Sequence, residues 1–215
     1  MVSFVKHENK QTYSVPIRAL LLDLARRSVE EAVTTGGLPP VNPDHLPTEL
    51  LEPRAVFVTL HKNGQLRGCI GNLQPQWPLY QAVMENARSA ALHDIRFPPV
   101  RPEEVPQLSI EISVLSPARP LPARSPQEVL SMLEPGRHGV IFELGPYRAT
   151  FLPQVWEQLP DPVRFLQHLS MKAGAGPNGW QDPKARFSVY EVEAFSEEDP
   201  EIQRYLAGEG PEPIV

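Results

Sequence analysis

Residues 55–71 read AVFVTLHKNGQLRGCIG. Asn63-Gly64 sits between two alternating segments and is the strongest short-range signal for a two-residue type I′ turn, because both central positions need positive φ. A hairpin there commits this part of the chain to antiparallel pairing. Counting outward, Lys62 pairs with Gln65, His61 faces Leu66, Leu60 faces Arg67 and Val58 faces Cys69. Residues two apart on a strand share a face. This register therefore predicts Arg67 beside Cys69, with His61 on the opposite face.

The other elements follow from periodicity and end signals. A helix over 14–33 has Ser14 as its cap, Pro16 in its first turn and Gly36-Gly37 at its end. Its apolar stripe is Ile17, Leu20, Leu21, Leu24, Ala25, Ser28 and Ala32. Residues 38–53 are proline-rich and aperiodic, which predicts an ordered surface loop. A second helix spans 78–93, and IRFPPVRPEEVP after it predicts a turn-rich segment without regular structure. Strict alternation over 107–115, with Leu108, Ile110, Ile112 and Val114 on one face, predicts a half-buried strand. Ser125 and Glu128 have capping-box spacing and open a short helix. GVIFEL, Gly145-Pro146 and YRATFL form a second hairpin. Asp161-Pro162 opens a helix to about residue 174, and ARFSVYEVEAF is a last strand. Mixed order with two hairpins predicts an α+β fold with a mixed, mainly antiparallel sheet and flanking helices. The expected organisation is one domain over 1–195 and a partly disordered acidic tail over 196–215.

Composition narrows the function classes. Proline accounts for 26 of 215 residues, more than twice the usual share of about 5%. Hydrophobic residues nevertheless make up 41% and fall in periodic segments, so the prolines stiffen a folded chain. The net charge of −6 gives no support to non-specific nucleic-acid or membrane binding. Cys69 is the single cysteine. That excludes an intramolecular disulfide, a paired-cysteine redox centre, a multi-cysteine zinc site and a self-contained iron–sulfur cluster. No GxGxxG after a strand, GxxxxGK[ST], HExxH or GxSxG occurs. His7, His45, His61, His93, His138 and His168 lack metal-ligand spacing. The start MVSFVKHENK has no signal-peptide pattern, and no apolar run approaches a membrane span. A soluble cytoplasmic protein without cofactor or metal is expected.

Three groups of residues carry chemistry. Cys69 is the candidate nucleophile. The guanidinium of Arg67 beside it would favour the thiolate, and Gly68 and Gly71 would leave the backbone open to a ligand. The alternative is a small buried cysteine with glycines that serve packing. Asp94, Arg96 and Phe97 in HDIRFPP form the second group. Flanking prolines would fix Asp94 and Arg96 for anion binding, or the two form an ion pair closing the helix. Lys172 with Gly174 is the third, either a site residue or a complement to the helix dipole. Trp156 and Trp180 are expected in the core or at a lobe interface.

LRGCIGNLQP (66–75), ENARSAALHDIRFPPV (85–100), QLSIEISVLSP (107–117) and RATFLPQVWEQLPDPVRFLQHLSMKAG (148–174) together resemble the AMMECR-type (AMMECR1) domain family over roughly residues 15–193. The RATFLPQVWEQLPDP stretch is similar to its bacterial branch, where the domain is protein A of the AmmeMemoRadiSam system, alongside a Memo-like protein and a radical SAM protein. The resemblance implies a two-lobed α+β fold with the LRGCIG strand near the lobe interface. It also implies a site drawn from Arg67, Gly68, Cys69, Asp94, Arg96, Phe97 and Lys172. Ile95 departs from the family's usual proline. The family brings no established reaction. The implied function is an enzyme, or an accessory enzyme subunit, in a radical-SAM-linked modification pathway. In that role Cys69, Arg67 and Asp94 would be catalytic, and Gly68, Gly71, Arg96, Phe97 and Lys172 would bind ligand. The alternative is a non-catalytic module binding an anionic ligand, peptide or RNA segment for those partners.

Overall fold

The computed structural model describes residues 13–209. They divide into two compact units, residues 13–115 with 193–209 and residues 116–192.

The first unit is built on an antiparallel sheet. The elements in chain order are α1 (Val15–Thr35), β1 (Ala55–Lys62), β2 (Gln65–Gly71), α2 (Leu79–Leu92), β3 (Leu108–Leu115), β8 (Val192–Ser196) and α5 (Pro200–Leu206). The sheet order is β2-β1-β3-β8. The stripe expected on α1 is buried apart from Leu20, which is half-buried. Val56, Val58 and Leu60 of β1 and Ile110 and Ile112 of β3 meet Val83 and Ala87 of α2 in one core. Each such aliphatic side chain, removed fully from water, contributes about 1.5–3 kcal/mol. The turn is as expected, with φ 53° at Asn63 and 73° at Gly64.

The second unit contains β4 (Arg119–Pro120), α3 (Pro126–Met132), β5 (Gly139–Leu144), β6 (Tyr147–Phe151), α4 (Pro162–Ala173) and β7 (Arg186–Tyr190). Its sheet order is β4-β7-β5-β6, again antiparallel. Trp156 and Trp180 both lie in its core with Phe142, Phe165 and Val189. Trp156 stacks on Phe165 at 3.6 Å between ring centres and donates its indole N–H to the His138 carbonyl at 2.7 Å. Ser125 and Asp161 cap α3 and α4 as their spacing predicts.

Two expectations change. ARFSVYEVEAF is two strands in different sheets, β7 and β8. The ladder breaks at Glu191, whose N–H and C=O turn to the Ser116 hydroxyl and N–H. Residues 102–107 form a 3₁₀ helix where no regular structure was expected. The short helix accommodates Pro106, which lacks only one donor. Within the acidic tail, residues 200–206 form α5, whose Ile202 is fully buried. Glu197 pairs with Arg26 and accepts the Ile110 N–H. No helix among the described residues is long and apolar enough to cross a membrane.

Candidate functional site

The site in the first unit grows from an irregularity in the hairpin. Lys62 pairs with Gln65 and His61 with Leu66, as counted from the turn. Beyond them Leu60 lies opposite Gly68, Thr59 opposite Cys69 and Val58 opposite Ile70. The expected register is therefore wrong by one residue past His61. Arg67 is the extra residue of a β-bulge, a device that re-aims a side chain. Cys69 moves to the face of β1 that carries Thr59 and His61 instead of the core face. His61 thus shares the face of Cys69, contrary to expectation. Glu111, opposite Thr59 on β3, belongs to the same face.

The bulge also redirects the guanidinium of Arg67. Instead of lying beside the thiol, it pairs with Glu104 at 3.0 Å and donates to the carbonyls of Pro98 at 3.0 Å and Pro99 at 3.4 Å. Glu104 also accepts from Lys62 Nζ at 2.8 Å and from the Arg101 N–H at 3.1 Å. These bonds, Arg67 foremost, hold its carboxyl well below the usual carboxylate range. The sequence reading missed Glu104. Its signal was the spacing Arg101-Pro-Glu-Glu104, which matches a helix cap and its N3 acid.

Asp94 follows α2 in a turn closed by the Phe97 N–H on the Asp94 carbonyl. Its side chain is buried. One oxygen accepts the Cys69 N–H at 2.8 Å and Arg96 Nη2 at 2.6 Å. The other accepts the Arg96 N–H at 3.1 Å and Nε at 2.9 Å. Arg96 Nη2 also donates to the Cys69 carbonyl at 3.2 Å. β2 is a sheet edge, so the outward N–H and C=O of Cys69 need partners, and the Asp94-Arg96 turn supplies both. The Arg96 hydrogen bond chiefly, with the two N–H donors, holds Asp94 far below the usual carboxylate range. Asp94 is accordingly a fixed anion that positions the cysteine.

Cys69 is half-buried. With its backbone groups facing outward, Cys69 and Thr59 form a non-hydrogen-bonded cross-strand pair, the kind with closer side chains. The Thr59 hydroxyl donates to Sγ at 3.3 Å. Arg96 is pushed above its ordinary value, mainly by its bond to Asp94, and the Cys69 side chain acts in the same direction. Arg96 reaches Cys69 at its carbonyl, whereas Arg67 is turned to Glu104. Thr59 was also missed, because only the bulge brings it opposite the cysteine.

The glycines serve packing. A Cβ on Gly68 would lie 2.2 Å from the Ala90 carbonyl oxygen of α2, and one on Gly71 would meet the Phe57 ring at 2.3 Å. In the direction a side chain would take, both glycine backbones are covered. Phe97 is half-buried, with the Arg96 guanidinium 5.5 Å from its ring centre. Lys172 belongs to the second unit. Its ammonium donates to the Thr150 carbonyl at 2.9 Å and lies 5.0 Å from the Phe151 ring centre.

The AMMECR1 family model matches residues 22–195. Protein MK0488 of Methanopyrus kandleri is 42% identical over 186 residues, covering 84% of this chain and 88% of that protein. A protein of Methanothermobacter thermautotrophicus is 42% identical over 179 residues, covering 83% and 93%. The crystal structure of the uncharacterized protein PH0010 from Pyrococcus horikoshii superposes with a TM-score of 0.71 at 38% identity, covering 85% of this chain and 92% of that one. A family match over most of the chain, relatives at this identity and a structure sharing the fold agree: the chain belongs to the AMMECR1 family.

Proposed function

We propose that this chain is a thiol-bearing enzyme or accessory enzyme subunit of a modification pathway, with Cys69 as its reactive group. One observation carries the reading. The sulfur of the half-buried Cys69 accepts the Thr59 hydroxyl, while Asp94 and Arg96 clamp the N–H and C=O of the same residue. The Thr59 hydroxyl orients the sulfur, the Arg96 guanidinium is held at the same residue, and the clamp removes the reorganisation that attack would otherwise require. Thr59 and Arg96 therefore take the place first expected of Arg67, and Asp94 acts as a positioning residue. The Memo-like and radical SAM partners rest on the resemblance of the RATFLPQVWEQLPDP stretch to the bacterial branch. Co-purification of tagged chain with those two proteins tests that part.

The thiol part is tested by alkylation. Iodoacetamide at pH 7, where sulfur displaces iodide, should label native Cys69 faster than the same thiol in the urea-unfolded chain. Thr59→Val and Arg96→Gln should each slow labelling several-fold. Native labelling no faster than unfolded labelling overturns the reading.

A second reading, a module that binds an anionic ligand, peptide or RNA segment for its partners, is favoured by the exposure of Arg96, whose side chain is 52% accessible despite its bonds. Cys69→Ser separates the two. Partner binding and pathway output survive it in the module and fail in the thiol protein.

A further inference from the structure

We propose that the second unit binds an acidic, extended peptide segment of a partner protein in a groove beside β4. The groove encloses about 920 Å³, within the range of roughly 300–1,000 Å³ usual for ligand sites. Residues 120–124 line one side and residues 183–186 the other, with Phe187 and Ser188 of β7 between them.

Charge sets the sign of the ligand. Residues 116–192 contain eight Lys and Arg against seven Asp and Glu, a balance of +1 in a chain whose total is −6. Arg124, Lys184 and Arg186 line the groove and are exposed. Among the described residues their side chains have no ion pair or hydrogen bond. The one acid in the lining, Glu143, is paired with Arg148 at 3.3 Å. The groove therefore presents three cations that make no ion pair among the described residues, with Glu143 across the β5–β7 ladder from Arg186.

The backbone decides how an anion would be read. Pro120, Pro122 and Pro183 have no N–H. The N–H of Leu121 goes to Phe187, that of Ala123 to Leu121, and that of Ala185 to Asp182. Those of Arg124 and Lys184 go to the Glu128 and Asp182 carboxylates. These wall donors are engaged within the protein and form no backbone nest around a phosphate group. Strand addition at this edge is blocked by the two prolines. Phe187, the aromatic residue of the lining, is buried and offers no face on which a base could stack.

Side-chain recognition is what remains. Carboxylates would meet the two guanidinium forks and the ammonium, while apolar side chains would lie over Leu121, Ala123, Ala185 and the prolines. An extended chain mixing acidic with apolar residues satisfies both.

The test is fluorescence anisotropy with the full chain and a fluorescein-labelled peptide of three Glu-Glu-Leu-Pro repeats. Saturable binding is expected, weakened about tenfold or more by R124Q/K184Q/R186Q and by added salt. Arg164→Gln removes an exposed cation of the same unit outside the groove and should leave binding unchanged. An unchanged melting temperature of the triple variant shows that it folds. The proposal is overturned by absence of saturation at millimolar peptide, by equal affinity in the triple variant, or by equal loss with Arg164→Gln. Equal binding of the Lys-Lys-Leu-Pro counterpart also overturns it. So does tighter binding of a thymidine 12-mer through the same three cations, which would point to nucleic acid instead.

Discussion

The turn-rich segment after α2 and the groove beside β4 are both rich in proline and arginine, yet they use the cations in opposite ways. Around β2, Arg67 and Lys62 share Glu104, and Arg96 is held by Asp94. Both carboxylates are mostly buried, at 12% and 4% side-chain exposure. At the groove, the side chains of Arg124, Lys184 and Arg186 are exposed and make no ion pair among the described residues. Positive charge near β2 is spent on fixing a backbone, whereas positive charge at the groove is left for something outside the chain. Residue type alone does not separate these uses. The supply of buried carboxylate does.

The sharpest break in the first region is steric. Gly68→Ala would drive a methyl group against the Ala90 backbone, 2.2 Å from its oxygen and 3.1 Å from its carbon. Backbone of a helix cannot step aside as a flexible side chain can. A loss of about 3 kcal/mol is expected, measured by urea unfolding. A loss under about 1 kcal/mol would mean that β2 and α2 separate easily, and the rigidity claimed for Cys69 would go with it.

Glu104→Gln comes next. It leaves Arg67 and Lys62 without their counter-charge in a partly buried place, and a loss of about 2 kcal/mol is expected. Its pH dependence has a definite sign. Folded Glu104 and Asp94 titrate well below their unfolded values of about 4. The unfolded chain therefore binds protons first as pH falls. Their stabilisation is complete above the ordinary carboxylate range and is lost progressively below about pH 4. Glu104→Gln should flatten that acid limb of the stability curve. An acid limb as steep as that of the unmodified chain would show that Glu104 is not part of the brace.

How much of this was legible beforehand depended on range. Asn63-Gly64, Ser125 with Glu128 and Asp161-Pro162 each act over four residues or fewer, and each turn or cap was readable. The α+β class followed from them. Glu191 was not readable as a strand break, because what stops β7 is a pairing with Ser116, 75 positions away. The bulge at Arg67 was hidden for the same reason. Nothing in QLRGCIG forbids a regular ladder, and what draws Arg67 out is Glu104, placed by the 3₁₀ turn at 102–107. Cys69, Asp94 and Arg96 stand out as residue types in the sequence, but the geometry that joins them does not. Thr59 and Glu104 have no motif of their own and become visible only when register and loop are in place.

The smallest expected effect lies on the other side of the comparison. R124Q/K184Q/R186Q removes three charges from the second unit and no ion pair among its described residues. Exposed substitutions away from caps, cores and pairs usually change stability by less than about 0.5 kcal/mol. Like charges gathered around one groove repel each other, so the sign should be neutral or slightly favourable. The same three changes are expected to cost the labelled acidic peptide about tenfold in affinity. A variant that keeps its urea midpoint while losing its ligand separates binding from folding in a way no substitution around Glu104 can. If the triple variant instead lost 1 kcal/mol or more, those cations would have partners after all, and the two regions would differ only in degree.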